Sequence, residues 1–381
     1  MEYDLMHKDT RVLQMSLDEE SGLIGSIERV YSIEHLPVGT FQDGLMNGND
    51  LRKWWARRSI PASRSGIGDV LYSLDIPCAT ALLPGCVGLS LSDQYWIRAS
   101  GTEAHWKDVN FFDNGFSEDL GDLMFGKTVE SDMDLNTPDS TTDGVLKKRW
   151  KIIGGKRFLI KAGAGTAMQE PFNEAVASLL MDILDVPHVP YSVVWSDGRP
   201  YSVCPDFVDR STELVSAYSF MNSYSRRTDA PYDRYVDGCR GLGIDVVPAL
   251  DRMMAVDFLM ANGDRHLNNF GLIRDADTLE LLGPAPIYDS GSSFGHDLLT
   301  KEIPSKMGES CKPFKNTFPE QMGLVSDFGW IDFDALRDAL PGIKAILSAE
   351  GFLDAARVEA LTHLMDSRIS ALERIAGGTA R

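Results

Sequence analysis

Alternating apolar and polar positions predict two short strands near the start of the chain, Arg11 to Leu17 and Leu23 to Val30, around the turn Asp18-Glu19-Glu20-Ser21-Gly22. From Asn49 to Leu74 the pattern becomes helical and unusually basic, through Leu51-Arg52-Lys53-Trp54-Trp55-Ala56-Arg57-Arg58-Ser59 and then the loop Ile60 to Gly66. Apolar residues nearly vanish between Glu130 and Asp143, which predicts a linker and a domain boundary. Val145 to Lys161 alternates as two strands about Gly154-Gly155. A helix is expected from Pro171, because proline suits a first turn and Phe172, Val176, Leu179, Leu180, Ile183 and Leu184 share one face. Strands at Val189 to Trp195 and Tyr201 to Val208 flank Ser196-Asp197-Gly198. Beyond Asp209 helix dominates, at Val247 to Ala261, Phe333 to Leu347 and Leu353 to Ile375. The chain has no internal repeat of fixed period, which argues against a solenoid or propeller.

These patterns describe an α+β chain: an N-terminal α/β region over 1–135 with no assigned role, a small sheet-plus-helix lobe over 140–209, and a larger, mainly helical lobe over 210–381. At 381 residues, with 43% apolar and 24% charged positions, it belongs with ordinary globular proteins. The formal net charge of −19 repels phosphate backbones and anionic headgroups, so neither nucleic acid nor membrane is expected as a direct partner. No run approaches the ~20 apolar residues of a membrane helix, and Met1-Glu2-Tyr3-Asp4 does not open a secretory signal, so a cytoplasmic location is expected. Cys78, Cys86, Cys204, Cys239 and Cys311 contain no CxxC pair and read as small buried residues. The histidines lack metal spacing, and no GxSxG elbow suggests a serine hydrolase.

One stretch concentrates varied polar chemistry at the end of a helix: Asn262-Gly263-Asp264-Arg265-His266-Leu267-Asn268-Asn269-Phe270. A hairpin is predicted next, from Phe270 to Ile273 and Leu279 to Leu282, and it returns the chain so that Tyr288-Asp289-Ser290-Gly291 meets the same mouth. Asp264, Asn269 and Asp289 would then converge. Phosphoryl transfer uses such a set: a carboxylate to accept the attacking hydroxyl's proton, and an amide oxygen with a second carboxylate for magnesium. The plain alternative is that these side chains cap turns and satisfy loop backbone. Lys161 ends a strand where a lysine would reach nucleotide phosphates, and Glu174 lies on the next helix where it could pair with it; otherwise Lys161 is a surface lysine and Glu174 favours a helix N-terminus. Thr141, Thr142 and Gly144, in Ser140-Thr141-Thr142-Asp143-Gly144, form a polar turn that could cover phosphates, although it matches neither GxxxxGK[ST] nor GxGxxG. Cys204-Pro205-Asp206-Phe207 falls where a hinge would meet an adenine ring, which makes Cys204 and Phe207 candidates. Ser59, Ser63 and Ser65 among Arg57, Arg58 and Arg64 suggest a phosphorylated segment, or else an amphipathic helix anchored by Trp54 and Trp55.

The order Lys161, Phe172-Asn173-Glu174, Gly263-Asp264-Arg265-His266-Leu267-Asn268-Asn269 and Tyr288-Asp289 resembles the HipA-like serine/threonine kinase family, whose catalytic loop runs Asp-Arg-His-x-x-Asn. Phosphatidylinositol kinases share that loop order. The resemblance spans roughly residues 140 to 300 and implies a two-lobed protein-kinase-like fold with ATP and Mg2+ between the lobes. Carried over by position, it implies Asp264 as catalytic base, Asn269 and Asp289 as magnesium ligands and Lys161 on the phosphates; His266, in the same loop, is expected to brace the backbone or position Asp264 rather than act as the base. It implies phosphorylation of a serine or threonine on a protein substrate, or on the chain itself, in a toxin–antitoxin setting with an antitoxin-like partner. Residues 1–135 and the nucleotide-covering turn depart from the family's pattern, which leaves acceptor and partner unnamed. The rival readings are a lipid or small-molecule kinase and a catalytically silent ATP-binding module.

Overall fold

The structure, a computed structural model, describes residues 1–129, 133–165, 167–224, 230–303 and 310–378. The chain runs through strands β1 (Glu2–His7), β2 (Thr10–Leu17), β3 (Ile24–Val30), β4 (Phe41–Gln42) and β5 (Leu45–Met46), helices α1 (Gly48–Arg57) and α2 (Ile67–Ser73), β6 (Tyr95–Ala99), α3 (Trp106–Val109) and α4 (Asp119–Met124). It continues through β7 (Lys148–Ile153), β8 (Lys156–Ala162), α5 (Glu170–Ile183), β9 (Ser192–Ser196), β10 (Arg199–Pro205), β11 (Thr212–Ser216) and α6 (Ala217–Tyr224). Next come α7 (Pro231–Gly241), α8 (Val247–Met260), β12 (Gly271–Asp275) and β13 (Leu281–Pro284), and then helices Phe318–Met322, Phe333–Asp338, Leu340–Leu347 and Ala355–Ala376. These form two compact units, one of Met1–Lys161, Asp206–Ser225 and Gly271–Leu282, the other of Ala162–Pro205, Arg226–Phe270 and Gly283–Arg381. The class is mixed, with small antiparallel sheets and many helices, as the apolar patterns predict.

In the first unit an antiparallel sheet runs β3-β2-β1-β6. Leu5 lies opposite both Leu13 and Ile97, and these side chains join Met15, Leu51 and Trp55 in a buried core. The alternation pattern misses the central strand β1, because Asp4 and His7 interrupt it. Both are buried with partners: Arg11 donates to Asp4 Oδ1 at 2.6 Å, and His7 Nδ1 lies 2.9 Å from His35 Nδ1. The predicted basic helix divides into α1 and α2. Asn47 caps α1, accepting the N–H groups of Asn49 (3.0 Å) and Asp50 (3.3 Å), and Trp55 is its fully buried anchor.

The polar stretch read as a linker is instead built into this unit where it is described; residues 130–132 lie outside the described residues. Thr137, Asp139, Ser140 and Thr142 are buried, and Asp139 Oδ1 accepts the Trp150 N–H at 2.6 Å. Here polar side chains satisfy backbone groups in place of water, so low apolar content did not mean exposure. A second buried network joins strands. Arg274 on β12 donates to Glu213 on β11 at 2.6 Å and to the Tyr95 hydroxyl at 2.9 Å, and that hydroxyl donates to the His35 carbonyl at 3.0 Å. Burial alone would raise Glu213, but Arg274 and His7 overcome it and hold the carboxyl at about 2.

In the second unit α5 is buried on every side over Glu170–Ser178 rather than along one face, and Leu179 and Ile183 of the predicted face are only half-buried. Phe172, Val176, Leu180 and Met181 are buried, with the Phe172, Trp195 and Phe352 rings 5.7 to 6.1 Å apart. Helix α8 is buried on most sides, including two carboxylates, Asp251 and Asp257. Asp251 accepts the N–H groups of Ser326 and Asp327, each at 3.1 Å. The predicted helix Phe333 to Leu347 breaks in two, with Pro341 in the first turn of the second piece. Among the described residues no helix is long and apolar enough to cross a membrane. All five cysteines are free, and all but Cys78 are buried.

Candidate active site

The strongest constellation lies in the second unit, where α8 ends. Ala261 takes a left-handed backbone (φ 48°) and turns the chain sharply, and Asn262 then donates its amide to Asp257 Oδ1 at 2.8 Å while its oxygen accepts the Asp264 N–H at 3.1 Å. Three positions on, Arg265 is completely buried. Its guanidinium grips Asp257 at 2.9 to 3.3 Å and sends its other N–H groups to the carbonyls of Asn269 (3.1 Å), Tyr288 and Asp289 (3.3 Å) and to the Ser290 hydroxyl (3.0 Å). Burial works against that charge, but Asp257 and Asp289 outweigh it and raise the guanidinium above its ordinary value. One cation, on the residue that directly follows Asp264, therefore ties the backbones of Asn269, Tyr288 and Asp289 together.

The loop itself is braced. His266 accepts the Asn268 N–H on Nδ1 (3.3 Å) and the Asn269 N–H on its carbonyl (2.8 Å), and the Tyr288 hydroxyl donates to the Asn268 carbonyl at 2.8 Å. Asp289 holds a positive φ of 59° and donates its N–H to the Tyr191 hydroxyl oxygen at 3.3 Å. Glu174 of α5 accepts the Ser290 N–H at 2.9 Å, and Asn173 donates to the carbonyls of Gly291 (2.9 Å) and Ser293 (2.8 Å). The Phe172-Asn173-Glu174 run thus positions the turn that carries Asp289. Asp264, Asn269 and Asp289 remain partly exposed above this buried frame.

Cys204 is buried in the second unit at the end of β10, whereas Phe207, Lys161, Thr141, Thr142 and Gly144 belong to the first. Lys161 is buried on β8, directly opposite Lys148 on β7. The Thr141 hydroxyl donates to the Leu89 carbonyl (2.7 Å) and the Thr142 hydroxyl to the Asp139 carbonyl (2.7 Å), so both serve the turn's own architecture. Gly144 is favoured where it stands by its positive φ of 94°, a backbone conformation that L side chains rarely adopt. Arg64, buried, ties the same turn down by donating to the carbonyls of Thr142 (2.5 Å), Asp143 (2.9 Å) and Gly144 (2.9 Å). Arg58 is likewise committed, to Asp93 at 2.6 Å, and Ser59 is buried with its hydroxyl on the Ala56 carbonyl; Ser63 and Ser65 are exposed.

Sequence reasoning passed over Arg265, Asp257, Asn262 and Asn173 as site residues, although three of them stand inside the quoted motifs. An arginine and an aspartate eight positions apart across a helix end are a signal, but only burial shows that they form one pair. Among the described residues no cluster of three His, Cys, Asp or Glu side chains could hold a metal. Asn269 and Asp289 offer hard oxygen donors of the kind magnesium takes when phosphates and water complete its shell.

No protein-family model matches the chain, and no curated protein matches it. Among solved structures, HipA of Shewanella oneidensis MR-1, in the toxin–antitoxin complex with HipB and operator DNA, is similar at a TM-score of 0.51 and 14% identity, over 98% of this chain and 97% of that one. The Helicobacter pylori proinflammatory kinase CtkA aligns at a TM-score of 0.47 and 16% identity, over 60% of this chain and 94% of that one. The chain shares its fold with HipA along nearly its whole length.

Proposed function

We propose that this chain is a HipA-like kinase that transfers the γ-phosphate of ATP to a serine or threonine of a protein. The observation that carries the reading is the Arg265 frame, in which the residue after Asp264 ties the backbones of Asn269 and Asp289 together over a buried counter-charge at Asp257. Asp264 accepts the proton of the attacking hydroxyl, and Asn269 and Asp289 hold Mg2+. The metal, when bound, neutralises charge on the phosphate oxygens. The same proposal assigns the nucleotide's phosphates to Lys161 and the backbone of the turn at Thr141 to Gly144, and its adenine to Cys204 and Phe207. A cytoplasmic protein acceptor and an antitoxin-like partner belong to the same proposal, the latter by the likeness to HipA, whose complex contains HipB.

The test is incubation of the full chain with γ-labelled ATP and magnesium, with phosphosite mapping. Label is expected on the wild type, with Asp264→Asn lowering the rate by about 100-fold or more, the usual weight of a general base. ATP binding without any transfer would favour a silent ATP-binding module, and transfer to inositol lipids alone would favour the lipid-kinase reading.

A further inference from the structure

We propose that Lys312, which lies outside every motif read from the sequence, is a positioning residue for Asp264; the inference rests on the phosphoryl-transfer reading above. Its ammonium donates to Asp264 Oδ1 at 2.8 Å. Both side chains are about half exposed, 55% and 50%, and pairs in that setting contribute little to stability. Stability is therefore a poor reason for the contact.

What distinguishes it from an ordinary surface pair is that both backbones are held. Gln321, fully buried, donates to the Lys312 carbonyl at 2.8 Å and accepts the N–H groups of Phe314 (3.3 Å) and Lys315 (3.4 Å). The Cys311 N–H closes the same loop on the Asn316 carbonyl at 3.0 Å. The Phe314 ring packs edge-on against Phe270, 5.7 Å between centroids, and Phe270 directly follows Asn269. On the other side the chain comes so close to Gly263 that a Cβ there would lie 3.2 Å from the Ser310 carbonyl oxygen. A hydrogen-bonded loop thus delivers one ammonium to one oxygen of the carboxylate.

That division of labour matters for the transfer step. The acceptor oxygen forms its bond to the γ-phosphorus as the bond from that phosphorus to the ADP oxygen breaks, its electron pair leaving with ADP, and the acceptor's proton passes to Asp264 Oδ2. Lys312 keeps its protons, fixes the carboxylate through Oδ1, and so acts through Asp264.

The full-length chain is assayed for transfer from γ-labelled ATP to itself and to myelin basic protein as probe. Lys312→Met is expected to lower kcat by roughly 10- to 100-fold, the scale of a misplaced catalytic group, with KM for ATP within about 2-fold and Tm unchanged. Lys312→Arg restores most of the rate. An active wild type with Lys312→Met equally fast, or with only KM altered, overturns the assignment and leaves the kinase reading standing. A wild type that transfers no label to either acceptor overturns both.

Discussion

Arg265 in the second unit and Arg274 in the first are both buried, both paired with a buried carboxylate, and they use their remaining N–H groups in opposite ways. Arg274 turns inward: Glu213, the Tyr95 hydroxyl and, beyond it, the His35 carbonyl close a network that stitches strands together. Arg265 turns outward, to the backbone of loops whose side chains stay partly exposed. A buried ion pair is weak as a source of net stability, because desolvation cancels most of its attraction. The difference lies in what the pair arranges, a fold in one unit and a candidate site in the other.

The largest expected effect comes from breaking each pair. Arg265→Met and Arg274→Met each strand a buried carboxylate and should cost about 3–5 kcal/mol in urea unfolding. Transfer per folded molecule should vanish for Arg265→Met and persist for Arg274→Met; equal losses would erase the distinction.

A buried carboxylate without an arginine clamp sharpens the contrast. Asp139 is pushed up to about 7 by burial, against the pull of the Trp150 N–H, Arg149 and Arg64. Its folded value lies above the ordinary 3.8, so its contribution to stability is full below about pH 4 and is lost as pH climbs towards 7. That loss amounts to at most roughly 4 kcal/mol, and Asp139→Asn should remove it, leaving a variant more stable than wild type at pH 8 and similar at pH 4. Unfolding curves at both pH values check this. Glu213, held at about 2, has the opposite sign: its contribution is full above the ordinary 4.5 and is lost as pH falls towards 2. The smallest effect belongs to the exposed pair Lys8–Asp277, 2.6 Å apart, where Lys8→Ala should change unfolding free energy by ~0–1 kcal/mol.

Local periodicity carried much of this chain into view. Helices α5 and α8, the long C-terminal helix, the hairpins β7–β8 and β9–β10, and the strands β2 and β3 all follow patterns a few residues long, because a helix face or a strand face is set by near neighbours. The spacing of Asp264 and Asn269, five positions apart, was legible for the same reason, whereas Asp289 is tied to the Asn269 backbone only through Arg265. Beyond that reach the sequence alone decided little. Strand β1 reads as broken until Arg11 and His35 arrive to pair its buried polar residues, and the polar segment before β7 reads as a linker until Asp139 meets the Trp150 N–H. The burial of Arg265 against Asp257 and the reach of Lys312 to Asp264, 48 positions away, came only with the tertiary structure. Whether a charged residue is solvated or clamped depends on the groups that folding brings to it, and these partners come from distant parts of the chain that no local pattern connects.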